Sequence, residues 1–220
     1  MNSKKKKRII FISIGIAVSL IVAVAIILIV KSTAYRVIKI ENYEGSVTLE
    51  RNSVEEDIFK GMSLKSKDTV TTGTASVIEL LADSDKHILA KENTCFSINA
   101  KGNEKNGKIA INLKYGSSLV EIDSKLEDDS EFEVNTPNAT ASVRGTTFEV
   151  SYDKDKNETV IVVTEGVVEV KTATEKRMID ADKKVTITGD SGNMIEEFNT
   201  DAMIGAPVYT NEVAFELDKT

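Results

Sequence analysis

Cysteine, histidine and tryptophan are almost missing from this sequence of 220 residues. It contains one Cys, one His, two Pro and no Trp, and aromatic residues make up 5% of the chain. The single Cys95 excludes an intramolecular disulfide. A Cys–His catalytic pair would have to use Cys95 and His87, because the chain offers no others. These absences argue against a disulfide-stabilised fold and against Cys–His chemistry.

Acidic residues are absent from the first 34 positions, although six of the 28 basic residues lie there. The rest of the chain therefore carries 22 bases against 35 acids. Nucleic-acid affinity is built on clustered Lys and Arg. We therefore expect no nucleic-acid binding by this strongly acidic part.

Charge is also absent from Ile9 to Val30, a run of 22 residues. A helix of that length crosses a hydrocarbon layer of about 30 Å. Because cleaved signal peptides have a shorter apolar region of about 7–15 residues, we predict an uncleaved signal anchor, with cleavage as the alternative. Five bases precede the run and one, Lys31, follows it directly. This bias predicts a single-pass protein of the cell membrane, with residues 1–8 as a short basic cytoplasmic tail and the body extracytoplasmic.

The body after the anchor is rich in β-branched residues. Positions 35–220 contain 18 Val, 14 Ile and 19 Thr against 9 Leu, and such side chains favour strands. Apolar residues alternate with period two in many short runs, such as 76–80, 109–113 and 159–163. Segments rich in Gly, Asn and Asp separate these runs and are typical of turns. We therefore predict an all-β fold.

A glycine followed by alternating apolar residues occurs three times, at Gly45, Gly116 and Gly166. In each copy the glycine can form a tight corner, and the strand after it can cover a core. The intervals between the copies are too uneven for a regular array. The pattern favours a short, irregular β-solenoid or β-roll, with a β-sandwich as the alternative.

Two segments of the body carry ordered motifs that are typical of a known domain family. Residues 61–73 carry a glycine, a leucine, a Lys-Asp where the family has Gly-Asp, and a Thr-Gly. Residues 132–150 are more specific, because they hold Thr-Pro, Ala-Ser-Val-Arg-Gly-Thr and Phe in the order and spacing of the family. The signature residues are Thr136, Pro137, Ala141, Ser142, Val143, Arg144, Gly145, Thr146 and Phe148. Together these motifs resemble the FecR family of exported bacterial domains. We assign residues 35–190 to a FecR-like β domain and 191–220 to an acidic C-terminal segment.

We interpret this signature as structural. Pro137 fixes its own φ and biases Thr136 towards an extended conformation, which suits the start or edge of a strand. Small residues such as Ala141 let neighbouring segments approach closely. Arg144 beside Gly145 places five donors at a corner, where they can hold carbonyl groups or a carboxylate together. The alternative for Arg144 is a role in recognition.

No constellation for catalysis, a cofactor or a metal stands out. Asp153, Asp155 and Asn157 are spaced like the start of a calcium loop. However, Glu158 stands where the turn glycine of such a loop belongs, and Thr164 stands where its twelfth-position Glu belongs. We therefore expect a protein that is not an enzyme and that uses no cofactor or metal.

The family resemblance implies a sensor that carries an external signal across the cytoplasmic membrane and controls an extracytoplasmic-function sigma factor. That form of the family has a substantial cytoplasmic segment, whereas eight residues precede the apolar run here. On this argument we expect a non-enzymatic binding or scaffold module at the cell envelope. Its partner would be an envelope protein, a peptide or a glycan, and not a sigma factor. Sigma-factor control is the alternative.

Overall fold

A computed structural model of the chain describes residues 38–102, 107–126 and 130–199. The predicted anchor at 9–30, the basic tail before it and most of the C-terminal segment lie outside these ranges. Within the described ranges, no helix is long and apolar enough to cross a membrane.

Strands account for all the regular structure of the described residues, which confirms the all-β prediction. Those of the first half are β1 (Ile38–Glu44), β2 (Val47–Arg51), β3 (Val54–Glu56), β4 (Ser63–Leu64), β5 (Thr69–Thr72), β6 (Val77–Ala82), β7 (Lys86–Ala90), β8 (Cys95–Gly102) and β9 (Gly107–Ile122). Those of the second half are β10 (Glu131–Asn135), β11 (Thr140–Val143), β12 (Thr147–Asp153), β13 (Glu158–Glu165), β14 (Val167–Lys171), β15 (Lys176–Asp180), β16 (Lys183–Thr188) and β17 (Asn193–Phe198).

The strands form two open rows that share one long strand. Row 1 runs β4, β1, β6, β7, β9, β12, β13, β16, β17. Row 2 runs β3, β2, β5, β8, β9, β10, β11, β14, β15. β9 belongs to both, because its first part pairs with β8 and its part from Gly116 onwards pairs with β12. This 16-residue strand joins the two rows into one connected sheet.

Both rows contribute to one continuous hydrophobic core. Buried and partly exposed residues alternate along the strands, as in β6, β12 and β13, so each strand presents one apolar face. Phe96, Phe132 and Phe148 are fully buried and come from β8, β10 and β12. Burial of each such ring contributes about 1.5–3 kcal/mol to the free energy of unfolding.

One connection differs from the hairpins that make up most of the body. β10 runs parallel to the first part of β9, with Glu131 opposite Lys108 and Asn135 opposite Asn112. Between these positions the chain passes from row 2 to row 1 along β9 and then returns to row 2. The other strand pairs of the described residues are antiparallel. The chain therefore completes one stacked circuit at the centre of the body.

The three repeated glycines stand where the chain crosses between the rows. Gly45, Gly116 and Gly166 have φ values of +77°, +95° and +80°, which glycine adopts without steric cost. At two of these corners the next residue donates its backbone N–H to a hydroxyl on the adjoining segment. Ser46 N donates to Ser76 Oγ at 2.8 Å, and Ser117 N donates to Thr94 Oγ1 at 2.9 Å.

We expect Gly116→Ala to lower the free energy of unfolding by more than about 3 kcal/mol. A Cβ at this position would overlap the Thr94 backbone and lie 2.7 Å from Asn93 O, in addition to occupying a positive φ. Gly61→Ala is the matched control, because Gly61 has φ +87° but no described heavy atom within 4 Å of its added Cβ. The control should cost only about 1–2 kcal/mol for its backbone conformation. Urea unfolding of the full chain in detergent, followed by circular dichroism, measures both, and equal losses would contradict the steric explanation.

Candidate binding site at the β11–β12 corner

The nine signature residues fall into three structural groups. Ala141, Val143 and Phe148 are buried in the core, on β11 and β12. Thr136 and Pro137 lie in the turn between β10 and β11, where Thr136 N donates to Ala139 O at 2.8 Å. The remaining four, Ser142, Arg144, Gly145 and Thr146, belong to the end of β11 and the corner that leads to β12.

Asn138 in the β10–β11 turn connects the two rows, and sequence reasoning missed this role. Its side chain is buried, with 7% exposed. Nδ2 donates to Asn157 O at 3.0 Å and to Ile187 O at 3.4 Å, while Oδ1 accepts from Thr159 Oγ1 at 2.6 Å. Thr136 Oγ1 completes the network at 2.7 Å from Thr159 Oγ1. The turn of row 2 is thus held against β13 and β16 of row 1.

A second polar anchor lies near the beginning of the body. Asp68 is buried, with 1% exposed, and accepts from Arg51 Nε at 2.9 Å and Arg51 Nη2 at 2.6 Å. Lys65 N also donates to Asp68 Oδ2 at 2.7 Å. The hydrogen bond to Asp68 raises the pKa of the Arg51 guanidinium, so the guanidinium stays charged at any ordinary pH. This bidentate contact fixes the turn that precedes β5 to the end of β2.

The corner between β11 and β12 is held through its backbone. Leu126 N donates to Arg144 O at 2.8 Å, and Ile122 N donates to Thr146 O at 3.2 Å. Gly145 has φ +138°, and a Cβ there would lie 3.1 Å from Lys125 Cα. The Arg144 side chain is exposed. Its interpretation as an internal clamp stays a prediction.

A cavity of about 600 Å³ opens at this corner. Its walls come from the end of β9, from the β11–β12 corner and from the β13–β14 corner that contains Gly166. The acidic side chains in its lining are Glu121, Asp123 and Glu165, and the basic ones are Lys125 and Arg144. Glu121 and Glu165 are the cross-strand partners of Thr147 on its two sides.

Thr146 lines the same cavity and differs from its counterparts at the other corners. Its side chain is 3% exposed, and its Oγ1 has no hydrogen-bond partner among the described residues. The methyl group Cγ2 faces Gly166 and would lie 2.6 Å from an added Cβ there. The hydroxyls of Ser76 and Thr94 accept hydrogen bonds from backbone N–H groups at their corners. The Thr146 hydroxyl has no such partner among the described residues.

Comparison with known proteins places this corner within a known domain. Residues 68–169 match the model of the family described as FecR protein. The chain contains a FecR domain. The segment includes Asp68, Asn138 and the residues that line the cavity, so the resemblance inferred from the signature is confirmed. A search among curated proteins gave no significant match.

Solved structures share the fold of this FecR domain at low sequence identity. Two crystal structures from Parabacteroides distasonis ATCC 8503, each of a chain provisionally assigned as an anti-sigma factor, have resolutions of 1.65 and 2.50 Å. They match with TM-scores of 0.52 and 0.51, each at 12% identity. The matches cover 63% and 59% of this chain, and 65% and 59% of the solved chains. This chain therefore spans less than two thirds of their length.

These findings correct two predictions made from the sequence. The prediction of a binding or scaffold module at the cell envelope was wrong, and so was the argument against a sigma-factor partner. The FecR match and the anti-sigma assignment of both solved chains favour the alternative, sigma-factor control. The error came from weighing eight residues at one end of the chain above the domain signature.

We expect Asn138→Ala to lower the free energy of unfolding by about 2–3 kcal/mol, because it removes the buried amide that donates to Asn157 O and Ile187 O and accepts from the Thr159 hydroxyl. Asn99→Ala is the control, since Asn99 is exposed and accepts one bond, from Ser66 Oγ at 3.0 Å. The control should change stability by less than about 0.5 kcal/mol. Chemical denaturation of the full chain measures both changes, and similar values for the two variants would refute the anchoring role.

Proposed function

We propose that this chain is a membrane-anchored regulator of an extracytoplasmic-function sigma factor, in which the FecR domain receives an external signal. The match of residues 68–169 to the FecR family carries this proposal. The fold shared with two chains assigned as an anti-sigma factor supports it. Regulation of this kind depends on binding alone, so the proposed role needs no catalytic residue and no cofactor.

The proposed arrangement puts the two ends of the chain on opposite sides of the cell membrane. Residues 9–30 would span the bilayer, because they are uncharged and long enough for its hydrocarbon layer. The excess of bases before the run favours a cytoplasmic N-terminus. The acidic FecR domain would then lie outside the cytoplasm, and the side that reaches the sigma factor would be the N-terminal one.

We further propose that the body is a short, irregular β-roll. The parallel pairing of β10 with β9 supports this, since it requires a full circuit of the chain around the core. The shared strand β9 supports it too, because a sandwich of two separate sheets would have no strand that belongs to both. In such a roll the two rows cannot shift independently of each other. A structural change at one corner therefore affects both rows.

Capture of the sigma factor tests the proposed function. Full-length chain carrying a C-terminal affinity tag would be purified from membranes of its own bacterium after mild crosslinking, and the recovered proteins identified by mass spectrometry. We expect an extracytoplasmic-function sigma factor to be enriched. The control is a chain in which residues 1–34 are replaced by an unrelated single-pass anchor of the same orientation, which should lose the sigma factor. Recovery of envelope proteins alone, or equal recovery of the sigma factor with both chains, would refute the proposal.

A further inference from the structure

Row 1 ends in an open strand edge at β17. This strand pairs with β16, and among the described residues no strand pairs with its other side. Its six residues make it the longest of the four strands that end the rows, since β4 has two residues, β3 has three and β15 has five. The unpaired N–H and C=O groups along such an edge form a template for one more strand.

The charges on β17 do not protect this edge. Proteins commonly guard an open edge with charged side chains, which repel or fail to pack against an added strand. Those of β17 are Glu196 and Glu197, and both lie close to lysines of β16. Lys183 Nζ is 2.6 Å from Glu196 Oε1, and Lys184 Nζ is 3.6 Å from Glu197 Oε2. These contacts offset the negative charge, so that even an acidic segment can approach the edge.

The apolar face of β17 continues beyond the part of it that the core covers. Met194 is buried in the core, with 5% exposed. Phe198 lies four residues further on and therefore on the same face of the strand, yet it is 71% exposed. Ile195 on the opposite face is 51% exposed. An added strand along this edge would cover apolar surface on both faces of β17.

The chain itself carries a strand pattern shortly after β17. Residues 212–217 read Glu-Val-Ala-Phe-Glu-Leu, in which Val213, Phe215 and Leu217 alternate with charged or small residues. Such a period of two is typical of a strand that buries one face. The six residues of this segment also equal the length of β17. The segment therefore has the pattern and the length that the open edge requires.

The connection between β17 and this segment allows the chain to turn back. Asn199 N donates to Asp182 O at 2.8 Å, so the chain leaves β17 beside the start of β16. Residues 200–211 follow and contain Gly205 and Pro207, which favour turns. A tethered segment acts at an effective concentration on the order of millimolar when its connection is short and flexible. This advantage favours the segment over a second copy of the chain as the occupant of the edge.

We propose that residues 212–217 pair antiparallel with β17 and close the open end of row 1. Their backbone groups bond to the free edge of β17, and their apolar side chains shield Phe198 from solvent. The pairing keeps this edge closed to other chains, which would otherwise find a template there. The inference goes beyond the proposed function and does not depend on sigma-factor control.

A tryptophan reporter tests this pairing, because the chain contains no Trp. Phe198→Trp would be introduced into the full chain in nanodiscs of zwitterionic lipid, and quenching of its fluorescence by acrylamide measured. Phe59→Trp is the matched control, since Phe59 is 60% exposed and lies in the connection between β3 and β4. We expect the reporter at position 198 to emit at shorter wavelength and to have a quenching constant several-fold lower than the control. Equal quenching of the two reporters would overturn the proposal.

Substitutions in the segment show whether it covers the reporter. One triple variant of the Phe198→Trp chain removes the apolar positions of the segment: Val213→Ser, Phe215→Ser and Leu217→Ser. Its matched control changes the alternate positions: Glu212→Ser, Ala214→Ser and Glu216→Ser. The first variant should raise quenching to the level of the Phe59→Trp reporter, whereas the control should leave the reporter protected. Protection that survives the first variant would overturn the assignment of the occupant.

Amide hydrogen exchange gives a second readout that needs no Trp. In chains that keep Phe198, the amides of β17 should exchange several-fold faster in the apolar triple variant than in its control, because the outer hydrogen bonds of the edge are lost. Equal exchange rates would contradict the pairing. Protection by the segment should also be independent of protein concentration, whereas quenching that rises on dilution would indicate a second copy and overturn the proposal. Sigma-factor capture is a separate measurement, so loss of reporter protection with the sigma factor retained refutes only the strand pairing.

Discussion

The close approach of backbone to side chain at the crossing glycines is the constraint on which this body depends. Each time the chain passes between rows at Gly45, Gly116 or Gly166, it turns through a positive φ against a Ser or Thr of the adjoining segment. A side chain at these positions would push the two segments apart. Because the rows share one core, separation at a corner would also open the packing between them. The strands of the two rows can pack over their shared core only if the chain turns tightly at these glycine corners.

Buried polar contacts then fix the positions of the turns. Asn138 ties the β10–β11 turn to β13 and β16, and Asp68 ties the turn before β5 to Arg51. Hydrophobic burial is not directional, so the core alone would allow turns to shift over the apolar surface. Hydrogen bonds in a buried site have narrow geometric limits, and an unmade one is costly. The anchors therefore contribute more to a unique arrangement than their net free energy suggests.

Much of the fold was accessible from the sequence, whereas much of the site was not. Period-two alternation located strands such as β6, β9 and β13, since each strand buries one face. The repeated pattern of a glycine followed by alternating apolar residues located three crossings between the rows. The signature also identified the FecR family. The network around Asn138 joins residues as far apart as Ile187, and no local pattern encodes which carbonyl groups a turn will meet. The cavity likewise needs the end of β9 and two corners brought together by the register of β9, β12 and β13.

The shared strand β9 has a consequence for how such a domain could transmit a signal. A ligand shifts an equilibrium only by the difference in its affinity for the two states, so the receiving site must change between them. At the Gly166 corner the hydroxyl of Thr146 has no hydrogen-bond partner among the described residues, whereas the hydroxyls of Ser76 and Thr94 at the corresponding corners are bonded. The end of β9 forms one wall of that corner, and the beginning of β9 pairs with β8 and β10 in the other row. A rearrangement that satisfies Thr146 would therefore act on both rows through a continuous strand.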